Sequence, residues 1–414
     1  MQIKPVFENK KALPIVFSFN NEYSKYFAVA LKSLIDNTNN QLFYDIVVFS
    51  SDISERNRKL LEEMLPQNFS LRFFNVSNIL EDINLPTMKY WSIDMYYRII
   101  IPIIMPDYEK VLYLDSDIVI KDDISRLFDI NFEGNKLLAI PDSFNLVSCL
   151  KESEERNEYI KNCLSLSNSD MYFNSGVLLF NIQSFNAKEY LETIKQTFSK
   201  IQKTYCPDQD ILNFMFKGRV KLINQKWNLQ YHLPIFHKKD LPCIDKTCLN
   251  DYNEAFQSPV IIHYTSPVKP WTNPKGELAE VFWKYARKTV FYEEILASMY
   301  QSEIFESRYA TNLYTILQSN KKVLLWGASL FLENFLKKYE ISKKYYPNIL
   351  GIIDKNSSRT GSLLSDYEIS TPEILKDCEA EEIILTVINS LNERYEEVKT
   401  YLNEQNINIK LTKL

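Results

Sequence analysis

Glycine is scarce in this chain, with 7 residues in 414. Its turns must rely on Asn, Asp, Ser and Pro, and each glycine that remains carries more information than usual. The six cysteines, at positions 149, 163, 206, 243, 248 and 378, include no Cys-x-x-Cys pair for zinc, and nothing suggests secretion. They read as reduced thiols of a cytoplasmic protein. There is no excess of positive charge either. With 48 Lys and Arg against 53 Asp and Glu, the net charge of −5 argues against a broad nucleic-acid surface held through phosphates. No apolar run reaches the roughly 18–20 residues of a membrane span, and the longest, residues 99–105, is far shorter. The first eleven residues carry charges but no apolar core of signal-peptide length. The expectation is a cytoplasmic protein without a transmembrane segment, leaving room for peripheral association at the inner face of the membrane.

What is present is ample apolar material. A hydrophobic content of 45% with 14% aromatics supports large cores, and the length suits two or three domains. Residues 13–19 form an apolar run followed by Asn20-Asn21-Glu22-Tyr23 and then a helical pattern through Ala28, Leu31, Leu34 and Ile35. Strands are expected over 43–49 and 71–76 around a polar helix at 54–65, and a helix is expected around 96–104. This alternation implies a mainly parallel sheet covered by helices. Further on, residues 176–180 read as a strand, 190–201 as a helix, and 277–317 as a helical, aromatic-rich segment. A second α/β unit opens with Val323-Leu324-Leu325-Trp326, then Gly327-Ala328-Ser329, a helix, and a strand at 349–353 ending at Asp354. The domain reading is 1–275, a helical bridge at 276–318, and 319–414.

The densest chemical signal is Val111-Leu112-Tyr113-Leu114-Asp115-Ser116-Asp117. In extended chain residues i and i+2 share a side, so Asp115 and Asp117 can hold one cation between them. Their hard oxygens suit Mg²⁺ or Mn²⁺ held together with a diphosphate. An isolated Asp-x-Asp is more often a strand ending in an acidic turn, and Asp208-Gln209-Asp210 has the same spacing yet follows Pro207 like a helix N-terminus. Context favours the first copy. It lies at the carboxyl end of a strand, where ligands collect in open α/β sheets, as does the 20–23 loop. His263, after the apolar run Val260-Ile261-Ile262, is a candidate third ligand, and Lys269 a candidate phosphate contact.

Four motifs in order, residues 111–117, Phe173-Asn174-Ser175-Gly176-Val177, Asp208-Gln209-Asp210-Ile211-Leu212-Asn213, and His263-Tyr264 through Trp271, resemble retaining glycosyltransferase family 8 over roughly residues 13–290. The resemblance implies a GT-A fold, a UDP-sugar donor (UDP-glucose or UDP-galactose), Mn²⁺ or Mg²⁺, and a glycan, glycolipid or glycoprotein acceptor of bacterial surface polysaccharide synthesis. By the same resemblance Asp115, Asp117 and His263 match metal ligands, and Lys269 matches a phosphate-binding lysine. Ser18, Asn20, Glu22 and Tyr23 match the uridine loop, with Asn20 where an aspartate is common. Arg98 matches an arginine contacting donor phosphate or sugar, Asn174 and Ser175 match donor-sugar contacts, and Ser116 falls in the donor set. Asp208 and Gln209 match the pair beside the anomeric carbon, giving the second Asp-x-Asp a function as well as a helix position. Ser266 departs from the family, which usually has Gly there.

The expected chemistry is departure of UDP with retention at the sugar. Gln209 is a poor nucleophile and Asp208 a better one by chemical type, so a covalent intermediate stays open, but acceptor attack on the leaving-group face is favoured, with Asp208 and Gln209 positioning and stabilising charge. Two other classes remain open: a metal-dependent UDP-sugar phosphohydrolase and a silent nucleotide-sugar-binding module. The C-terminal unit resembles Rossmann-like accessory domains, but a dinucleotide fingerprint needs three glycines and only Gly327 is there. It is expected to serve packing, oligomerisation or acceptor presentation. The linkage and the oligomeric state carry no sequence signal.

Overall fold

The computed structural model describes residues 2–7, 11–81, 83, 85, 93–143, 154–166, 172–201, 204–231, 246–265, 269–274, 276–319, 321–388 and 391–414. The chain divides into two compact units, Met1–Leu296 and Ala297–Leu414.

The first unit is built on a seven-stranded sheet of order β3-β2-β1-β4-β7-β6-β8. Its early strands are β1 (Ala12–Ser18), β2 (Phe43–Phe49), β3 (Phe69–Phe74) and β4 (Lys110–Leu114). All four run parallel, with Val16 beside both Val47 and Tyr113. After β4 the chain bends at Ser116 and Asp117 and leaves the main sheet as β5 (Ile118–Ile120). Strands β6 (Leu137–Pro141), β7 (Phe173–Asn181) and β8 (Val220–Leu222) complete the sheet, β7 running antiparallel to both β4 and β6. A small second sheet joins β5 to β10 (Ile261–His263) and β9 (Leu229–Gln230).

Burial follows composition. Eight of the nine residues of β7 are buried, as are six of the seven in β1 and in β2, the near-continuous apolar signature of strands covered on both faces. One core cluster packs Val16, Val111, Tyr113 and Leu178 against Ile99, Ile104, Ile194 and Ile211. Each such side chain contributes about 1.5–3 kcal/mol on full burial. Two helices begin where a side chain supplies a cap. The Ser54 hydroxyl accepts from Asn57 N ahead of Glu55–Glu62, and Asn186 accepts from two amides ahead of Ala187–Lys200. Pro207 opens Pro207–Met215 at a position where its missing N–H costs nothing. The helix expected around 96–104 is different: a 3₁₀ segment, Ile93–Ile100, is followed by the single α turn Ile101–Ile104. Pro102 is the reason, since it cannot donate within a continuous helix but fits the first turn of a new one.

The second unit carries a six-stranded sheet of order β13-β14-β12-β11-β15-β16. Its strands are β11 (Val323–Trp326), β12 (Ile349–Ile353), β13 (Leu363–Leu364), β14 (Tyr367–Ser370), β15 (Glu382–Leu385) and β16 (Lys410–Lys413). All pairings but β13 with β14 are parallel. Gly327 ends β11 at φ +108°, and a Cβ there would run into Val387, so the turn accepts no other residue without strain. Among the described residues, no helix is long and apolar enough to cross a membrane.

Candidate functional site

The Asp pair sits where β4 ends, beside β1 on one side and β7 on the other. Antiparallel pairing of β5 with β10 sets His263 opposite Ile118, the residue after Asp117. His263 Nε2 thereby comes to 3.1 Å from Asp117 Oδ1 and 3.5 Å from Asp115 Oδ2. One ligand atom from each of Asp115, Asp117 and His263 lies within 4.8 Å of the others, a grouping able to hold a metal ion. Gly176 of β7 makes room for it. A Cβ there would collide with the His263 ring, coming to 2.7 Å from Nδ1, and would lie 2.8 Å from Asp115 Oδ2.

Each member is held from behind. Asp115 Oδ1 accepts from the Tyr113 hydroxyl at 2.8 Å and pairs with Arg98 Nη2 at 2.9 Å, which leaves Oδ2 towards His263. Asp117 Oδ2 pairs with Lys269 Nζ at 2.6 Å. Burial pushes the Asp117 carboxyl up, but Lys269 and His263 outweigh it and hold the group far below the usual carboxylate range. His263 Nδ1 meets Asn228 Oδ1 at 2.9 Å.

Arg98 is buried. Its Nη1 donates to the Ser175 carbonyl at 2.8 Å and to Ser175 Oγ at 3.1 Å, its Nε donates to the Met95 carbonyl, and the guanidinium stands 4.4 Å from the Tyr113 ring centre. Its Nε also lies 3.3 Å from Asp208 Oδ2, an oxygen with no hydrogen-bond partner among the described residues. Burial raises the Asp208 carboxyl against the opposing pull of Arg98.

Beside it, Gln209 Oε1 accepts from Ser175 N at 3.0 Å and Asn174 Nδ2 at 3.1 Å, while Nε2 donates to Asp142 Oδ2 at 3.0 Å. The second Asp-x-Asp thus splits. Asp208 and Gln209 face the strand ends, whereas Asp210 is spent on the Tyr172 and Tyr159 hydroxyls and the amides of Tyr205 and Cys206.

The loop after β1 lies next to the Asp pair. Asn20 Oδ1 accepts from Tyr23 N at 3.2 Å, and the Ser18 hydroxyl donates to the Asp94 carbonyl at 2.6 Å. Glu22 is exposed. The Tyr23 ring approaches Tyr26 at 5.3 Å and Trp271 at 6.3 Å between centroids, and Tyr26 stacks on Trp271 at 3.8 Å. Burial, followed by the charge of Asp117, raises the Tyr23 hydroxyl. Ser116 is buried, and Ser266 lies outside the described residues. Two members of the cluster escaped sequence reasoning. Asp142 follows the end of β6 and carried the weak signal of a strand-end carboxylate, while Asn228 closes a short 3₁₀ turn with no motif around it.

A mainly parallel α/β sheet with a paired-carboxylate cluster at the end of its fourth strand defines a GT-A glycosyltransferase, and solved structures agree. The chain is similar to the bifunctional glycosyltransferase WbbM (27% identity, TM-score 0.63, 72% of this chain and 53% of that one). It is also similar to the galactosyltransferase LgtC, solved with donor and acceptor sugar analogues (27%, TM-score 0.53, 67% and 96%). Among curated proteins it is 30% identical over 196 residues to the lipopolysaccharide 1,3-galactosyltransferase of Salmonella typhimurium, covering 45% of this chain and 52% of that protein. It thus spans about half the length of WbbM and of the Salmonella protein. The profile of glycosyl transferase family 8 matches residues 14–274, and the chain belongs to that family. Membership of that family makes it a glycosyltransferase by class.

Proposed function

We propose that the chain transfers glucose or galactose from a UDP-sugar to a glycan, glycolipid or glycoprotein acceptor, with retention at the anomeric carbon, in bacterial surface polysaccharide synthesis at the inner face of the membrane. The observation that carries this reading is the convergence of Asp115, Asp117 and His263 beside Lys269 at the end of β4. Two carboxylates and an imidazole are a donor set suited to Mn²⁺ or Mg²⁺, and the bare Cα of Gly176 lets the His263 ring and the Asp115 carboxylate stand where they would hold such an ion. When bound, the ion neutralises charge on the diphosphate leaving group.

The chain's own residues do the rest. Lys269 leaves Asp117 to meet a phosphate as a point charge. The loop of Ser18, Asn20, Glu22 and Tyr23 receives uridine, the Tyr23 ring offering a stacking face, and Ser116 and Ser266 line the donor. Asn174 and Ser175 hold the hexose. Gln209 and Asp208 lie under its reacting end, where the carboxylate stabilises developing positive charge. Arg98 anchors Asp115 and Asp208 from beneath. Because the Gln209 amide is no nucleophile and Asp208 is paired with Arg98, acceptor attack on the leaving-group face is the preferred route. We read residues 1–275 as the transferase, 276–318 as a helical bridge and 319–414 as a Rossmann-like accessory domain.

The test is UDP release from a panel of UDP-sugars, with Mn²⁺ and with chelator, followed by NMR of the product's anomeric proton. One donor turned over only with metal and with retained configuration is expected. No metal-dependent UDP-sugar binding, or inversion, overturns the reading.

A further inference from the structure

Two backbone amides of β7 set the direction of every hydrogen bond between Gln209 and His263. A backbone N–H only donates. Ser175 N donates to Gln209 Oε1 at 3.0 Å, so the other end of that amide, Nε2, is the donor to Asp142. Gly176 N donates to Asn174 Oδ1 at 2.9 Å, so Asn174 Nδ2 faces Asp142 and Gln209, donating to each at 3.1 Å. Asn228 then meets an oxygen, Asn174 Oδ1, at 2.8 Å, and only its Nδ2 can donate there. Its Oδ1 is left facing His263 Nδ1 at 2.9 Å. An amide oxygen accepts, so Nδ1 carries a proton and Nε2 is the ring nitrogen that faces Asp117 and Asp115. Asp142, Asn174, Gln209, Asn228 and His263 are all buried.

We infer that Asn228 is a positioning residue of the transferase. It holds His263 in the Nδ1–H tautomer with Nε2 free to ligate, and through Asn174 it ties that tautomer to the orientation of the Gln209 amide. An outer partner of this kind both orients an imidazole ligand and raises its basicity. One hydrogen-bond direction, imposed by β7, thus runs from the carboxylate–imidazole cluster to the residue under the sugar. The inference rests on the metal reading above only in what Nε2 is for; the tautomer itself does not depend on it.

Two substitutions separate the bonds. Asn228→Leu removes both. Asn228→Asp keeps an oxygen for His263 Nδ1–H but can no longer donate to Asn174. The chain has 3 histidines, so long-range ¹H–¹⁵N spectra of the metal-free protein at pH 8, assigned with His263→Gln, read the tautomer directly. The wild-type ring is expected as Nδ1–H. Asn228→Leu should lose that single tautomer and bind Mn²⁺, titrated by EPR, about 10–100-fold more weakly. Asn228→Asp should retain the tautomer and the Mn²⁺ affinity while kcat falls with little change in donor KM. A wild-type ring protonated on Nε2 alone overturns the inference without any variant. So does an Asn228→Leu protein, folded by circular dichroism, with wild-type tautomer and Mn²⁺ affinity. If the wild type holds the Nδ1–H ring and loses it in Asn228→Leu yet binds no Mn²⁺, the positioning stands and the metal reading fails.

Discussion

Arg98 Nη2 lies 2.9 Å from Asp115 Oδ1, and the arginine that makes this contact is 6% exposed. The cation is thus part of the floor of the site, joining Asp115 to Asp208 and to the Ser175 carbonyl. Sequence reading assigned Arg98 to the donor's phosphate or sugar. In the structure Nε meets Met95 and Asp208, Nη1 meets Ser175 and Nη2 meets Asp115, so beside any contact with a donor Arg98 orients the carboxylates of the site.

Arg98→Met should therefore cost stability as well as activity. Removing one partner of a buried ion pair leaves two carboxylates uncompensated, a loss of about 3–5 kcal/mol. Urea denaturation measures it, and UDP titration of the folded protein should show weakened Mn²⁺-dependent binding. A variant as stable as wild type contradicts the pairing.

Gly176→Ala places a methyl group against His263 and Asp115. Overpacking of this kind costs about 1–3 kcal/mol, and the triad must open to relieve it. Mn²⁺ affinity should drop well beyond what the change in melting temperature explains. Calorimetric titration on the folded variant checks this.

The two carboxylates of the second Asp-x-Asp should fail differently. Asp208→Asn is expected to cut kcat for UDP release with a melting temperature near wild type. Asp210→Ala removes the acceptor shared by the Tyr172 and Tyr159 hydroxyls and two backbone amides, so it should cost at least the roughly 1–3 kcal/mol of one buried group left unpaired. The surviving folded fraction, assayed cold, should keep its kcat. Thermal melts and initial rates on both proteins separate the cases.

In the second unit, burial pushes the Glu382 carboxyl up, but Lys410, Thr412 and Lys321 hold it at about 2, below its ordinary 4.5. A depressed carboxyl stabilises the fold above the unfolded value, and this contribution is lost as pH falls through the folded one. Glu382→Gln should therefore unfold at lower urea than wild type at pH 6. The gap should narrow between pH 4.5 and about 2. A gap that is constant with pH removes the ionic explanation.

Much of the scaffold was readable without coordinates. The strands at 43–49, 323–326 and 349–353 have the expected bounds, and β1 differs by one residue at each end. These are short apolar runs cut off by polar turn formers, a signal contained within each segment. The Asp-x-Asp spacing was legible for the same reason, since i and i+2 share a side before any fold exists. The 93–104 segment was misjudged because its apolar period is helical while Pro102 forbids one continuous helix.

What the sequence by itself determined is the set of local elements, the family, and the side chains offered at the ends of strands. The tertiary structure alone decided which of them meet. His263 reaches Asn228 from 35 residues away and Lys269 reaches Asp117 from 152, distances closed by the β5–β10–β9 sheet and the turn after it. Asp142 and Asn228 carry no spacing that marks them, because their role exists only once β7 points two backbone N–H groups into the cluster. Hydrogen-bond direction is a property of a closed network of donors and acceptors, and no single segment of chain contains one.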